Sequence, residues 1–230
     1  SMLLLSGMSV TTFLFAFLSG VAGTAVVLGA ERRIDLVRAG VILAALDAAI
    51  IGVLGLLGNL GTGRVLQAAA WGAANGFLCG ILTLGFLPIF EVLLNAPTRF
   101  KLMELSDLNS PVFKRMLSQA PGTYTHSISV ANLAETACEA IGANALLARV
   151  SAYYHDIGKI EQADYFIENQ KSFNRHDEMK PSLSAAVIKS HVRIGIEKAR
   201  ELKLPQAIVD IIAQHHGRGL ITYFYHRAVT

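Results

Sequence analysis

A 230-residue chain that is 53% hydrophobic and only 16% charged is too apolar for an ordinary soluble domain. Its net charge of +3 is small and interspersed, with no basic stripe, which argues against a nucleic-acid polymer as partner. The two cysteines, Cys79 and Cys138, make no disulfide framework, and a reducing cytosol suits the second half.

Charge is unevenly spread. Of 20 Lys and Arg and 17 Asp and Glu, residues 1–97 hold four and four, leaving 16 and 13 for residues 98–230. The first part reads as membrane. Ser1-Met2 reads as a tag scar, and the chain as a truncated piece. Leu3 to Ala30 has no charged residue, and a helix crosses a bilayer core in about 20 residues. That stretch lacks the basic flank of a signal peptide. Val41 to Leu60 supplies a second span, with Asp47 near its start and so expected close to the headgroups. Leu66 to Leu94 supplies a third, interrupted by Pro88 and Glu91. The glycines and alanines of 44–61 suit close helix packing.

Orientation follows from the arginines. The connection "ERRIDLVRAG" (31–40) holds three and "GTGR" (61–64) one, and Arg99, Lys101, Lys114 and Arg115 follow the third span. This bias predicts residue 1 outside, with the first loop and residues 98–230 in the cytoplasm.

From residue 98 the pattern changes to short amphipathic helices. A connector (105–122) carries a short helix between Pro111 and Gly122. Helices follow near 126–141, 144–154 and 182–203, and another is opened by Pro205 and runs to about 216. No strand-like alternation of useful length occurs. The expected class is all-α: three transmembrane helices, then a helical domain.

Five of the seven histidines form a pattern. His155 sits beside Asp156 at the end of a helix. His191 shares a helix face with Val187 and Ile194, and His215 follows Ile208 and Ile211 in the same way, with His216 adjoining. His126 lies near the start of an earlier helix. A lone His on an apolar face is usually a core residue. Several helices each bringing one to a His-Asp pair suggest imidazoles held neutral by a divalent metal. His176 and His226, in polar or terminal surroundings, are expected outside the cluster, and His176 at the surface.

The set His126, His155-Asp156, His191 and His215-His216 resembles the HD superfamily of metal-dependent phosphohydrolases. The stretches "PGTYTHSISVANLAE", "YYHDIGKIEQADYFIENQ", "HDEMKPSLSAAVIKSHV" and "IIAQHHGRGLITYFYHRA" resemble the bacterial seven-transmembrane HD phosphodiesterases. The resemblance implies a multi-pass protein of the cytoplasmic membrane that hydrolyses cyclic di-AMP to the linear dinucleotide. The three spans would be the fifth to seventh of seven.

Two divalent ions, Mn or Fe, are the implied cofactors, since histidines disfavour Mg. His126 and His155 would serve one and His191, His215 and His216 the other. Asp156, the catalytic carboxylate, would bridge both, and Lys159 would approach a phosphate oxygen, its alternative being a solvated lysine after Gly158. The family's last ligand is an Asp well beyond the double histidine. Nothing acidic follows Asp210 here, so this chain is expected to be a weak or inactive hydrolase. The alternative is a membrane receptor that binds a nucleotide without hydrolysis; a homodimer stays open.

Overall fold

A computed structural model describes residues 10–229. These fall into two compact units, divided between Leu94 and Asn95. Among the described residues there are helices and turns and no strand.

The first unit is three long helices: α1 (Val10–Val27), α2 (Arg33–Leu57) and α3 (Thr62–Leu93), each long and apolar enough to cross a membrane. Residues 3–9 of the first expected span lie outside the described residues. Large apolar side chains such as Phe13, Phe17, Trp71, Phe77 and Phe90 point outward, the inverse of a soluble bundle. Small residues form the interior. A Cβ on Gly76 would stand 2.5 Å from the backbone nitrogen of Ala44, so α2 and α3 approach closely only because Gly is there.

Two membrane expectations change. Helix α2 begins at Arg33 instead of residue 41, because Asp35 caps it, accepting from the backbone N–H groups of Arg32 and Glu31 at 2.9 and 3.2 Å. Most of the arginine-bearing "connection" is therefore the helix's first turns. Asp47 consequently falls near the middle of α2 instead of near its start. It is fully buried and takes a hydrogen bond from Asn75 Nδ2 at 2.9 Å.

The second unit runs through α4 (Arg99–Leu105), α5 (Pro111–Gln119), α6 (Pro121–Ala140) and α7 (Ala145–Tyr154). Three 3-10 segments follow, Ile157–Tyr165, Ile167–Asn169 and Arg175–Glu178. The chain closes with α8 (Pro181–Glu201), α9 (Gln206–Gln214) and α10 (Thr222–Val229). Prolines open α5, α6 and α8, where a missing N–H costs nothing. The sixth helix thus starts five residues before the expected 126. Asn144 caps α7 by accepting from Leu147 N–H at 3.0 Å.

Phe113, Met116, Val150, Tyr153, Tyr154, Ile157, Ile208 and Ile212 form the core. Phe113 packs tilted on Tyr154, ring centroids 4.8 Å apart, and the Tyr154 hydroxyl donates to the Leu105 carbonyl at 3.0 Å. Burial raises the Tyr154 hydroxyl to about 12. This packing fixes the end of α7, and the His-Asp pair follows directly.

His176 corrects the sequence reading. It is only 5% exposed, with its Nε2–H donating to the Tyr165 carbonyl at 2.7 Å and its ring against Phe224. Helix α10, unrecognised in the sequence, covers it, and Arg227 donates to its carbonyl. His226 is exposed.

Candidate metal centre

The HD pair sits where α7 ends. His155 is the C-cap residue, still in a helical conformation at φ −54° and ψ −33°, and Asp156 departs to φ −109° and ψ 17° before the 3-10 segment begins. That break turns two neighbouring side chains towards one point, which a continuing helix would send about 100° apart.

Gly158 then lets the chain pass hard against α8. A Cβ there would lie 1.9 Å from the backbone oxygen of His191. The same close approach brings the His191 ring to Asp156. Helix α9 delivers His215 and His216 at its C-terminal end, and α6 delivers His126.

Asp156 is the hub, its side chain 2% exposed. Its Oδ2 faces His155 Nε2 at 3.0 Å and His126 Nε2 at 3.8 Å. Its Oδ1 faces His191 Nε2 at 3.4 Å and His215 Nε2 at 3.6 Å, and makes no hydrogen bond among the described residues. The donors divide accordingly into two groups, Asp156 with His191, His215 and His216, and Asp156 with His126 and His155. Within each group the donor atoms lie within 4.8 Å of one another.

The imidazoles are prepared as ligands. Nδ1–H of His155 donates to the Ala152 carbonyl at 2.7 Å, and that of His215 to the Ile212 carbonyl at 2.8 Å. His191 Nδ1–H donates likewise to the Ile188 carbonyl. A carbonyl can only accept, so each proton is fixed on Nδ1 and Nε2 is left with its lone pair inward. His191 Nε2 stands 3.3 Å from that of His215 and 3.1 Å from that of His216. Lone pairs converging at such distances repel unless a cation lies among them. The donor set therefore fits divalent metal.

Electrostatics agree. Burial depresses His191 to about 4, and burial together with His215 lowers His216, so both stay neutral at physiological pH. For Asp156, burial alone favours the neutral acid. The Lys159 ammonium, 2.9 Å away, opposes this and holds the carboxylate below the usual range. His126 is the most open of the set, its side chain 48% exposed.

Lys159 is not a solvated lysine. Its side chain is 12% exposed, and its ammonium lies 2.9 Å from Asp156 Oδ2 and 2.9 Å from Glu168 Oε1, over the Phe166 ring. Sequence reasoning missed Glu168. It also accepts from the Thr123 hydroxyl at 3.1 Å, while Asn169 Nδ2 donates to that hydroxyl at 2.8 Å. His176 lies outside the centre, and it is absent from both donor groups.

Comparison with known proteins agrees with this geometry. Residues 123–229 match the HD domain model, and residues 1–98 match the model described as a 7TM receptor with intracellular HD hydrolase. The chain is 38% identical over 218 residues to the cyclic-di-AMP phosphodiesterase PgpH of Bacillus subtilis, covering 94% of this chain and 31% of that protein. It is 39% identical to PgpH of Listeria monocytogenes, with 94% and 30% covered. The chain thus spans under a third of these relatives. The crystal structure of the L. monocytogenes PgpH HD domain in complex with cyclic di-AMP superposes with a TM-score of 0.51 at 49% identity, over 54% of this chain and 58% of that one. The chain is thus homologous to the PgpH proteins over nearly its whole length, its first part matching the 7TM-receptor model and its second the HD domain model.

Proposed function

We propose that the chain is the catalytic portion of a membrane-anchored, metal-dependent phosphodiesterase that opens cyclic di-AMP to the linear dinucleotide. The observation that carries this reading is the division of Asp156, one carboxylate oxygen turned to His126 and His155 and the other to His191 and His215. Its relatives' named activity supports the substrate. The proposed ligands are His126, His155 and Asp156 on one side and Asp156, His191, His215 and His216 on the other. Imidazole-rich sets favour Mn or Fe over Mg, which prefers oxygen.

Two divalent ions supply, when bound, a nucleophilic hydroxide at neutral pH and charge neutralisation for an anionic diester. The chain's own groups do the remainder. Neutral histidines present lone pairs, and their Nδ1–H bonds to carbonyls keep the rings from turning. Asp156 stays ionised and shares its two oxygens. Lys159, buried and charged, is positioned to meet a non-bridging phosphate oxygen as negative charge builds on it. In the overall reaction the water oxygen joins phosphorus, a phosphorus–ribose oxygen bond breaks, and the leaving ribose oxygen takes a proton.

The arginine bias supports a cytoplasmic hydrolytic domain and an anchor in the cytoplasmic membrane. One experiment tests activity, metal and side together. Inverted membrane vesicles carrying the full-length protein should hydrolyse added cyclic di-AMP with Mn and stop on chelation, whereas sealed right-side-out vesicles should not. Turnover by right-side-out vesicles contradicts the orientation, and no metal-dependent turnover in either contradicts the enzyme.

A further inference from the structure

Phe166 is only 5% exposed, yet it stands apart from the core that Phe113, Val150 and Ile208 share. Its ring lies against the metal centre instead. The Lys159 ammonium sits over that ring, 4.9 Å from its centroid. The His191 ring meets it in a T-shaped contact, centroids 5.6 Å apart at 85°. The backbone explains the placement. Phe166 is a single extended residue, φ −106° and ψ 125°, between the 3-10 segments Ile157–Tyr165 and Ile167–Asn169. Its N–H donates to the Ala163 carbonyl at 3.0 Å, and its carbonyl accepts from the Asn169 N–H at 2.9 Å. The turns on both sides thus hold it in place. The next residue, Ile167, is also apolar but 77% exposed. Apolarity alone therefore does not account for a phenyl ring at this point.

The surroundings of Lys159 show what the ring supplies. An ammonium has three N–H groups. Asp156 Oδ2 and Glu168 Oε1, each at 2.9 Å, take two of them. The face of a phenyl ring is negative and attracts a cation without being a conventional hydrogen-bond acceptor. A carbonyl or a water in its place would accept the third N–H. We propose that Phe166 is a positioning residue of this centre, its ring steadying the Lys159 charge while leaving the third N–H for a non-bridging phosphate oxygen. The inference rests on the phosphodiesterase reading and deepens it. Phe166 acts through Lys159, and its contact with His191 ties the same ring to the second donor group. A lysine already oriented and shielded from water needs no rearrangement as negative charge builds on the phosphate. The effect therefore falls on kcat.

Fluorination of the ring tests this, because it withdraws charge from the ring face while nearly keeping its size. Phenylalanine carrying one, two or three ring fluorines is placed at position 166 of the full-length protein. With saturating Mn and cyclic di-AMP as substrate, kcat should fall stepwise, reaching roughly tenfold at three fluorines, with KM changed much less. Saturating metal keeps the readout independent of metal affinity. The same trifluorinated residue in place of Phe173, which is 55% exposed, serves as the control and should match wild type. Phe166→Leu, apolar but without a ring, should be at least as impaired as the trifluorinated protein. A kcat within about twofold of wild type across the fluorinated series overturns the proposal and leaves the proposed activity standing. That holds even if Phe166→Leu is impaired, since packing and not ring charge would then be what matters. Absence of metal-dependent cyclic di-AMP turnover by wild type overturns the proposed activity and the positioning role with it.

Discussion

At the scale of single residues, Asp156 and Lys159 form an arrangement whose steadiness depends on Glu168. The ammonium lies at 2.9 Å from each carboxylate, and Glu168 is in turn held by Thr123. Without Glu168, Lys159 has only Asp156 to pair with among these contacts and is drawn onto an oxygen that the metal centre needs. Glu168 therefore acts through Lys159. Hydrogen bonds to charged groups contribute about 1.5–3 kcal/mol each. Glu168→Gln, which keeps the shape and one acceptor, should lower kcat by roughly tenfold with KM changed much less, and Glu168→Asp should recover part of the loss. An unchanged kcat would show that Lys159 needs no second partner. His191 and His215 were legible in the sequence because each follows apolar residues at helical spacing, and His126, His155 and His216 because they complete the motif. Glu168 was not. It lies in a run of 3-10 turns broken at Gln162, where no period tells inside from outside. His176 was misread for a related reason: its neighbours are polar, and only the later α10 buries it.

At the scale of elements, the centre depends on how closely the 3-10 segment after Asp156 lies on α8. Gly158 sets that distance, with a Cβ there 1.9 Å from the His191 carbonyl oxygen. Gly158→Ala must push backbone against backbone, and overpacking of this kind costs typically 1–3 kcal/mol. The variant should melt several degrees lower. It should also bind Mn more weakly, because His191 moves with α8 away from Asp156. Calorimetry of both transitions checks this, and a variant with wild-type metal affinity would mean that the approach does not position His191. Helix starts were readable at Pro111 and Pro181 but not at Pro121, where α6 begins five residues before the expected 126. The start of α2 was not, since hydropathy treats arginines as the end of a span although Asp35 caps a helix that continues through them. The position of Asp47 was misjudged as a direct consequence.

At the scale of the whole molecule, the sequence divides into an apolar unit whose large side chains face outward and a helical unit with its own core. That division was visible in charge alone, because membrane-crossing helices exclude charge wherever it cannot be paired. The account's central claim concerns the second unit: one aspartate faces two metal sites. Anomalous diffraction from Mn-loaded crystals of the protein tests it most directly. Two peaks about 3.5–4 Å apart are expected, one beside His126 and His155, the other beside His191, His215 and His216, with an Asp156 oxygen on each. A single peak, or a pair that Asp156 does not touch, would contradict the claim.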